Sequence, residues 1–441
     1  METLHDFPYF RLEYDLNARP VSNDAAEKLV AFLKASPPTD VVFISHGWNN
    51  NMDEAQELYD AFFKRVRAHW NRGSVAGLES RRAVVAGVLW PSKRFTDSEL
   101  IPGGAAGIKD EDDALKLVRA VLDRLAEDDP TKASLIAACK KDLDKLESDP
   151  KVQDAFVARV LQLLPATEAD PEEGLQELRA VRGRELLDRL SPPVILPSAG
   201  DEEDGGGAAG VEDEDEGGAA GIGSFLGGII GGAAKLLHFT TYYTMKERAG
   251  LVGMRAIHPL LVRIQTAFPA LRIHLIGHSF GGRLVSAAAR GADGSPRVQI
   301  ASLTLLQAAF SHYGFSNNAA KRGKNGYFRA VTAGECLRGP ALVTHTANDK
   351  AVGIAYALAS RAAGENAAGI GDSSSDFGGI GRNGALLTPE AMEGKLLAAG
   401  SAYQWKAGKF HNLLADAFIK GHSDVTGPEV TWAWLTAFAS A

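Results

Sequence analysis

Residues 272–290 read Arg-Ile-His-Leu-Ile-Gly-His-Ser-Phe-Gly-Gly-Arg-Leu-Val-Ser-Ala-Ala-Ala-Arg. An apolar strand runs directly into Gly277-His278-Ser279-Phe280-Gly281, and a helix of small residues follows. A chain can make that passage only through a sharp turn, and the serine at its apex must carry backbone strain. Gly277 and Gly281 lack the Cβ atoms that would collide as strand and helix close on each other. Such a turn projects a hydroxyl to where a base and a substrate can both reach it. The helix behind it aims its first amides at any negative charge that develops there. A glycine-rich turn between any strand and helix could look similar, but the flanking pattern favours the elbow. Ile273, Leu275 and Ile276 give a buried-strand signal, and Leu284 to Ala289 can pack closely against it. Ser279 is the candidate nucleophile.

The rest of the chain supplies a sheet for this turn. Tyr9 to Leu16 alternates apolar and polar residues and is expected to be an opening edge strand. Asn23 can cap a helix to about Ala35. Val41 to Ile44 is a buried strand ending at His46-Gly47-Trp48, a helix is expected from Asp53 to Trp70, and Ala83 to Trp90 is a second continuous apolar strand stopped by Pro91. Strand, helix and strand in this rhythm predict a mostly parallel sheet covered by helices on both faces. Thr244–Phe268 is expected to be a helix feeding the elbow strand, Gln299–Leu306 and Ala341–Thr344 two further strands, Tyr403–Lys406 a weak last strand, and Glu429–Ala439 a closing helix.

Between the two halves the pattern changes. Amphipathic helices without strands are expected at Asp113–Ala126, Thr131–Glu147, Val152–Leu164 and Glu172–Leu190, with Pro130, Pro150 and Pro171 at their borders. Residues 198–221 carry two acidic runs among glycines and alanines, a composition that cannot build a packed core and reads as a disordered surface loop. Ile222 to Leu237 is apolar, glycine-rich and almost uncharged, and reads as a flexible flap over an apolar mouth. A lid opening on lipid is the sharper alternative, which would give membrane contact through 222–237. The expected organisation is a split core, 1–93 and 235–441, around a helical cap insertion, 94–234.

Bulk properties exclude several classes. Hydrophobic residues make up 45% and charged residues 23% of 441, the balance of an ordinary globular protein. A net charge of −8 argues against nucleic acid or an anionic membrane as the main partner. The two cysteines, Cys139 and Cys336, form neither a disulfide framework nor a C-x-x-C metal site. With no signal-peptide pattern at the N-terminus, a cytoplasmic location is expected.

An activated serine needs a base, an orienting acid and an oxyanion hole, each supplied from a loop after a strand. The acid should follow the second strand after the elbow, where Asn348-Asp349 stands; a turn aspartate would look the same, but the position favours Asp349 as the acid. The base should precede the final helix. His422, in Gly421-His422-Ser423-Asp424, does so; His411 competes but is expected to start a helix, Asn412 to Ile419. One oxyanion amide should come from Phe280 and the second from Trp48, with Gly47 permitting close approach. Trp48 could wall an acyl pocket or simply pack. His46 is expected to brace that loop rather than act as a base, and His274 to be a satisfied core residue.

These segments together (His46-Gly47-Trp48-Asn49-Asn50, Trp90-Pro91-Ser92, Gly277 to Gly282, Asn348-Asp349 and His422-Ser423-Asp424) resemble the α/β-hydrolase superfamily. More narrowly, they are similar to a poorly characterised bacterial branch of serine hydrolases. The likeness covers 1–93 and 240–441 and leaves the cap unmatched. It implies an α/β-hydrolase fold with an eight-stranded, mostly parallel sheet, and Ser-His-Asp chemistry with no cofactor and no metal. The first oxyanion segment is His-Gly-Trp rather than the triple glycine of many lipases and esterases, so their substrate ranges do not carry over. The expected activity is hydrolysis of a small-molecule carboxylic ester. The alternatives are a lipase or phospholipase using 222–237 as a lid, a peptidase or amidase, and a hydrolase fold kept as a non-catalytic binding module.

Overall fold

The computed structural model describes residues 2–22, 24–48, 50–92, 111–164, 175–192, 228–317, 323–332, 336–364 and 373–441. The expected cap Asn23, the acidic stretch 198–221 and residues 222–227 lie outside them. The chain divides into two units. One comprises Met1–Ser92, Arg248–Asp349 and Gly379–Ala441; the other comprises Lys93–Glu247 and Lys350–Gly378.

The first unit is an α/β layer structure. Among the described residues its sheet has nine strands rather than eight: β1 (Glu2–Leu4), β2 (Phe7–Glu13), β3 (Asp40–Ser45), β4 (Ala83–Leu89), β5 (Arg272–His278), β6 (Ser302–Leu306), β7 (Ala341–His345), β8 (Ala391–Lys395) and β9 (Phe410–Leu414). Their order is β1-β2-β4-β3-β5-β6-β7-β9-β8. Only the β1–β2 pair is antiparallel. The opening strand, expected at the edge, therefore lies one place in, because the three residues of β1 pair outside it. β3 and β4 are buried at every position, as strands covered on both faces must be, which is why they read as unbroken apolar runs.

Two helix layers do the covering. Helix α1 (Asp24–Ala35) sets Phe32 against Phe10 of β2 on one face, and α3 (His258–Ala267) lies beside it through the Arg263–Glu27 ion pair. Helix α4 (Phe280–Arg290) follows the elbow and packs on β5 and β3. On the other face α2 (Met52–Asn71) and α5 (Pro428–Ser440) interlock Phe62, Phe63, Trp434 and Phe438 over Val42, Val85 and Ile276. A capping box starts α2: Asn51 accepts from the Asp53 and Glu54 amides, and Glu54 accepts from the Asn51 amide.

At the amino ends of the strands, the fully buried Asp40 carboxylate meets Arg81 Nε (3.0 Å), Arg272 Nε (2.9 Å) and His274 Nε2 (3.1 Å). His274 Nδ1 accepts from Ser302 Oγ at 2.8 Å. This row repeats the order serine, histidine, aspartate, but all three residues are sealed in the core. It ties three strand ends together, and His274 is the satisfied core residue the sequence suggested.

The structure departs from several of these expectations. Tyr403–Lys406 forms no strand: its alternation stacks Tyr403 on Trp405 and hydrogen-bonds Trp405 Nε1 to Thr436 Oγ1. His411, expected to open a helix over Asn412–Ile419, lies in β9, held in parallel register between β7 and β8. The helix expected from Thr244 begins at Gly228, runs to Leu251, turns through a π-helical stretch, Val252–Ile257, and continues as α3.

The second unit is helical among its described residues. Glu111–Asp128, Ala133–Asp142, Pro150–Leu163, Leu175–Ala180, Gly183–Leu190 and Lys350–Ala363 are its helices, with the first part of Gly228–Leu251. The single helix expected over Glu172–Leu190 is broken before Gly183, whose φ of +38° no helix interior accepts and whose Cα sits against Asp154. The half of the expected flap that is described, 228–237, is helical, and Ala233, Leu236 and Leu237 in it are buried. Gly232 there lets the helix backbone approach the Leu187 carbonyl closely. Lys235, also buried, donates to the Leu190, Ser191 and Pro192 carbonyls and so closes the end of the Gly183–Leu190 helix. Among the described residues no helix is long and apolar enough to cross a membrane.

Candidate active site

Parallel strands put all their carboxyl ends on one side, and the chain reverses its direction of travel across the sheet between β3 and β5. Helix α2 leads from β3 to β4 on one side, and α4 leads from β5 to β6 on the other. A crevice opens at such a switch point, outside the strand ends. The loop after β3 and the turn after β5 meet there.

Ser279 stands at the apex of that turn with φ 55° and ψ −125°, a strained combination for a residue with a side chain. Its neighbours leave it no alternative. Its amide donates to the Leu306 carbonyl (3.1 Å), and its carbonyl accepts from the amides of Gly282 (3.0 Å) and Ala309 (3.1 Å). A Cβ on Gly277 would lie 2.3 Å from the Gly281 carbonyl oxygen, and one on Gly281 would lie 2.2 Å from the Ser45 carbonyl oxygen. Both glycines are thus fixed by backbone contact.

Asp349 follows β7 and His422 follows β9. His422 Nδ1 donates to Asp349 Oδ2 at 2.9 Å, and Ser279 Oγ lies 2.8 Å from His422 Nε2. Because a carboxylate only accepts, the His422 proton sits on Nδ1 and Nε2 is left to accept from the serine. Asp349 is fully buried, while the His422 side chain keeps 16% exposure. Residues 143 positions apart in sequence thus form one relay.

The loops carrying Asp349 and His422 are stitched together. Asn348 Nδ2 donates to the carbonyls of Asp416 (3.2 Å) and Ile419 (2.8 Å), and Asp416 accepts from Thr346 Oγ1 (2.6 Å) and the Ala347 amide (3.1 Å). Gln307, just past β6, donates through Nε2 to Asp349 Oδ2 (3.2 Å) and the Gly381 carbonyl (2.8 Å). Its φ of +44° is a second strained point beside the relay. His278 Nε2 donates to the His422 carbonyl at 2.9 Å. Sequence reasoning assigned no role to Gln307 or His278. For His278 the signal was its place directly before the elbow serine; Gln307 offers none.

The loop after β3 holds Trp48, one of the two residues whose amides are expected as oxyanion donors. His46 is fully buried, and burial lowers its pKa to about 4, so it stays neutral. Its Nδ1–H donates to the Gly47 carbonyl (2.9 Å), its Nε2 accepts from the Trp90 amide (3.2 Å), and its ring stacks on Trp90. The Tyr59 hydroxyl takes the His46 amide (2.9 Å) and donates to the Val88 carbonyl (2.6 Å). His46 therefore braces the loop. Drawing the Gly47 carbonyl toward the imidazole turns the N–H of the same peptide unit, that of Trp48, the opposite way. Gly47 sits so close that a Cβ there would fall 2.5 Å from Ser279 Cβ and 3.1 Å from its Oγ. Phe280 opens α4, so its N–H lies at the positive end of that helix dipole. The rings of Trp48 and Phe280 meet at 5.9 Å between centroids.

The competing histidine is occupied elsewhere. His411 Nε2 accepts from the Lys406 amide (3.1 Å), and its ring packs on Trp405. Among the described residues no group of three or more His, Cys, Asp or Glu could hold a metal ion. Comparison with protein-family models, with curated proteins and with solved structures finds no match to this chain.

Proposed function

We propose that this chain is a serine hydrolase of α/β-hydrolase type that cleaves carboxylic esters through an acyl-enzyme. The observation that carries the reading is the continuous relay from Asp349 through His422 to Ser279, mounted on a strained elbow at the switch point of a parallel sheet.

The chemistry follows from the tautomer. His422 Nε2 takes the Ser279 proton as Oγ attacks the ester carbonyl, and Asp349 stabilises the imidazolium. The amides of Phe280 and Trp48 hold the tetrahedral oxyanion. Collapse breaks the carbonyl–alkoxy bond, and the imidazolium passes its proton to the leaving alcohol. Water, deprotonated by the same nitrogen, then attacks the acyl-serine and returns the free hydroxyl and a carboxylic acid.

The test is covalent labelling with a fluorophosphonate probe alongside turnover of a p-nitrophenyl ester. Wild-type protein should be labelled on Ser279 and should hydrolyse the ester, and S279A should do neither while melting at the wild-type temperature. A fully active S279A would remove the assignment. Folded wild-type protein that reacts with neither reagent would favour a binding module.

A further inference from the structure

His278 is 6% exposed, so nearly all of its imidazole is buried. Its Nε2 is spent on the His422 carbonyl, which can only accept, so the proton lies on Nε2 and Nδ1 carries a bare lone pair. That Nδ1 has no hydrogen-bond partner. It lies 3.3 Å from the position a Cβ on Gly47 would take, against the loop after β3. A buried ring with half its hydrogen-bonding capacity unmet is a worse core residue than phenylalanine or leucine of similar bulk. What it gains is confined to Nε2. That nitrogen reaches the backbone of residue 422 in the middle of the Gly421–Asp424 turn, with the two imidazole rings 5.0 Å apart. Burial also keeps His278 from charging beside the imidazolium that His422 must become, its pKa falling to about 3.

We propose that His278 is a positioning residue: its Nε2–H holds the backbone from which the base is suspended, fixing the His422 ring between Asp349 and Ser279. The elbow thereby aligns its own base. The residue before the nucleophile anchors the loop that delivers the imidazole, so serine and histidine move as one body. The assignment rests on the relay reading above for its kinetic effect, but the anchoring itself can be measured separately.

The decisive pair is H278Q and H278N. Glutamine places its amide nitrogen at the reach of Nε2, whereas asparagine places it at that of Nδ1, where nothing is bonded. H278Q should keep the fluorophosphonate labelling rate and kcat within about fivefold of wild type. H278N should lose about a hundredfold in both with little change in KM, the scale expected for an ångström of misplacement. The amides of 421–424 should exchange hydrogen at least tenfold faster in H278N and near the wild-type rate in H278Q. If H278N does not fold, H278M, which fills the space without a donor, takes its place in the comparison. Unchanged exchange in H278N, or in H278M where it takes that place, overturns the proposal, as does an equal fall in both variants of the pair. If wild-type Ser279 is not labelled at all, the hydrolase reading fails, and the exchange rates alone decide the anchoring.

Discussion

Replacing Gly47 by alanine puts one methyl group where the structure has none to spare. The added carbon would sit 2.5 Å from Ser279 Cβ, 3.1 Å from its Oγ and 3.3 Å from His278 Nδ1. Ordinary contact begins near 3.4 Å, so the closest pair is about 1 Å too near. Ser279 cannot give way, because its strained backbone is pinned at both its amide and its carbonyl. The loop after β3 has to retreat instead, taking the Trp48 amide with it. Gly47 is not among the positive-φ residues, so alanine is conformationally acceptable there and the collision is the main effect. A displacement of about 1 Å at an oxyanion donor costs on the order of a hundredfold in rate, or about 2.7 kcal/mol of barrier. Steady-state hydrolysis of a p-nitrophenyl ester, read beside a thermal melt, measures both consequences. G47A should lose about two orders of magnitude in kcat/KM while melting close to wild type. Activity within threefold of wild type, in a protein of unchanged Tm, would refute the placement of this loop against the nucleophile.

D349N should leave the fold intact and lower kcat by roughly 10³–10⁴-fold, since an amide can hold His422 in the wrong tautomer; a loss under tenfold would contradict the acid's role. F438A should destabilise by about 3–5 kcal/mol, because its buried ring packs on Trp434, Trp70 and His274 at once; urea unfolding measures this, and a loss below 1 kcal/mol would refute it. Acidification should lower Tm in two stages. Burial holds His46 at about 4 against an ordinary 6.5, so the unfolded chain takes the proton first and stability falls as pH drops below 6.5. Burial pushes the Asp40 carboxyl up, but the hydrogen bonds it accepts from His274, Arg272 and Thr39 outweigh it and bring it to about 2. With that folded value below the usual 3.8, its contribution of roughly 2 kcal/mol is complete above pH 4 and is lost as pH falls toward 2. D40N should start from a lower Tm and lose the second stage, and a melt independent of pH between 7 and 3 would contradict both.

What the sequence made legible was whatever local chemistry dictates by itself. The elbow was readable because Gly277, Ser279 and Gly281 leave one way to join a strand to a helix, and β3 and β4 because strands buried on both faces admit only apolar residues. His422 and Asp349 followed from counting loops outward from the elbow. The misreadings share one cause, packing that overrides local pattern. His-Asn-Leu-Leu-Ala-Asp-Ala-Phe-Ile looks helical until β7 and β8 impose a ladder on its first four residues. Tyr403 and Trp405 alternate for stacking and not for pairing. β8, with Glu393, Gly394 and Lys395 largely exposed, has no apolar period to detect. The glycines of 228–237 argued against a helix, yet Gly232 marks a close approach between helices. Gln307 and His278 were invisible as positioning groups because their partners lie far away in sequence.

His422 hangs from the segment that follows β9, and β9 has only the short, largely exposed β8 between it and the sheet's margin. Ser279 sits just past the end of the central strand β5. Loosening that margin far enough to break the His278–His422 hydrogen bond would therefore separate imidazole from hydroxyl while the middle of the sheet stayed folded. Loss of reactivity on heating or in mild denaturant should run ahead of loss of bulk secondary structure, and residual function would gauge the integrity of one flank of the molecule.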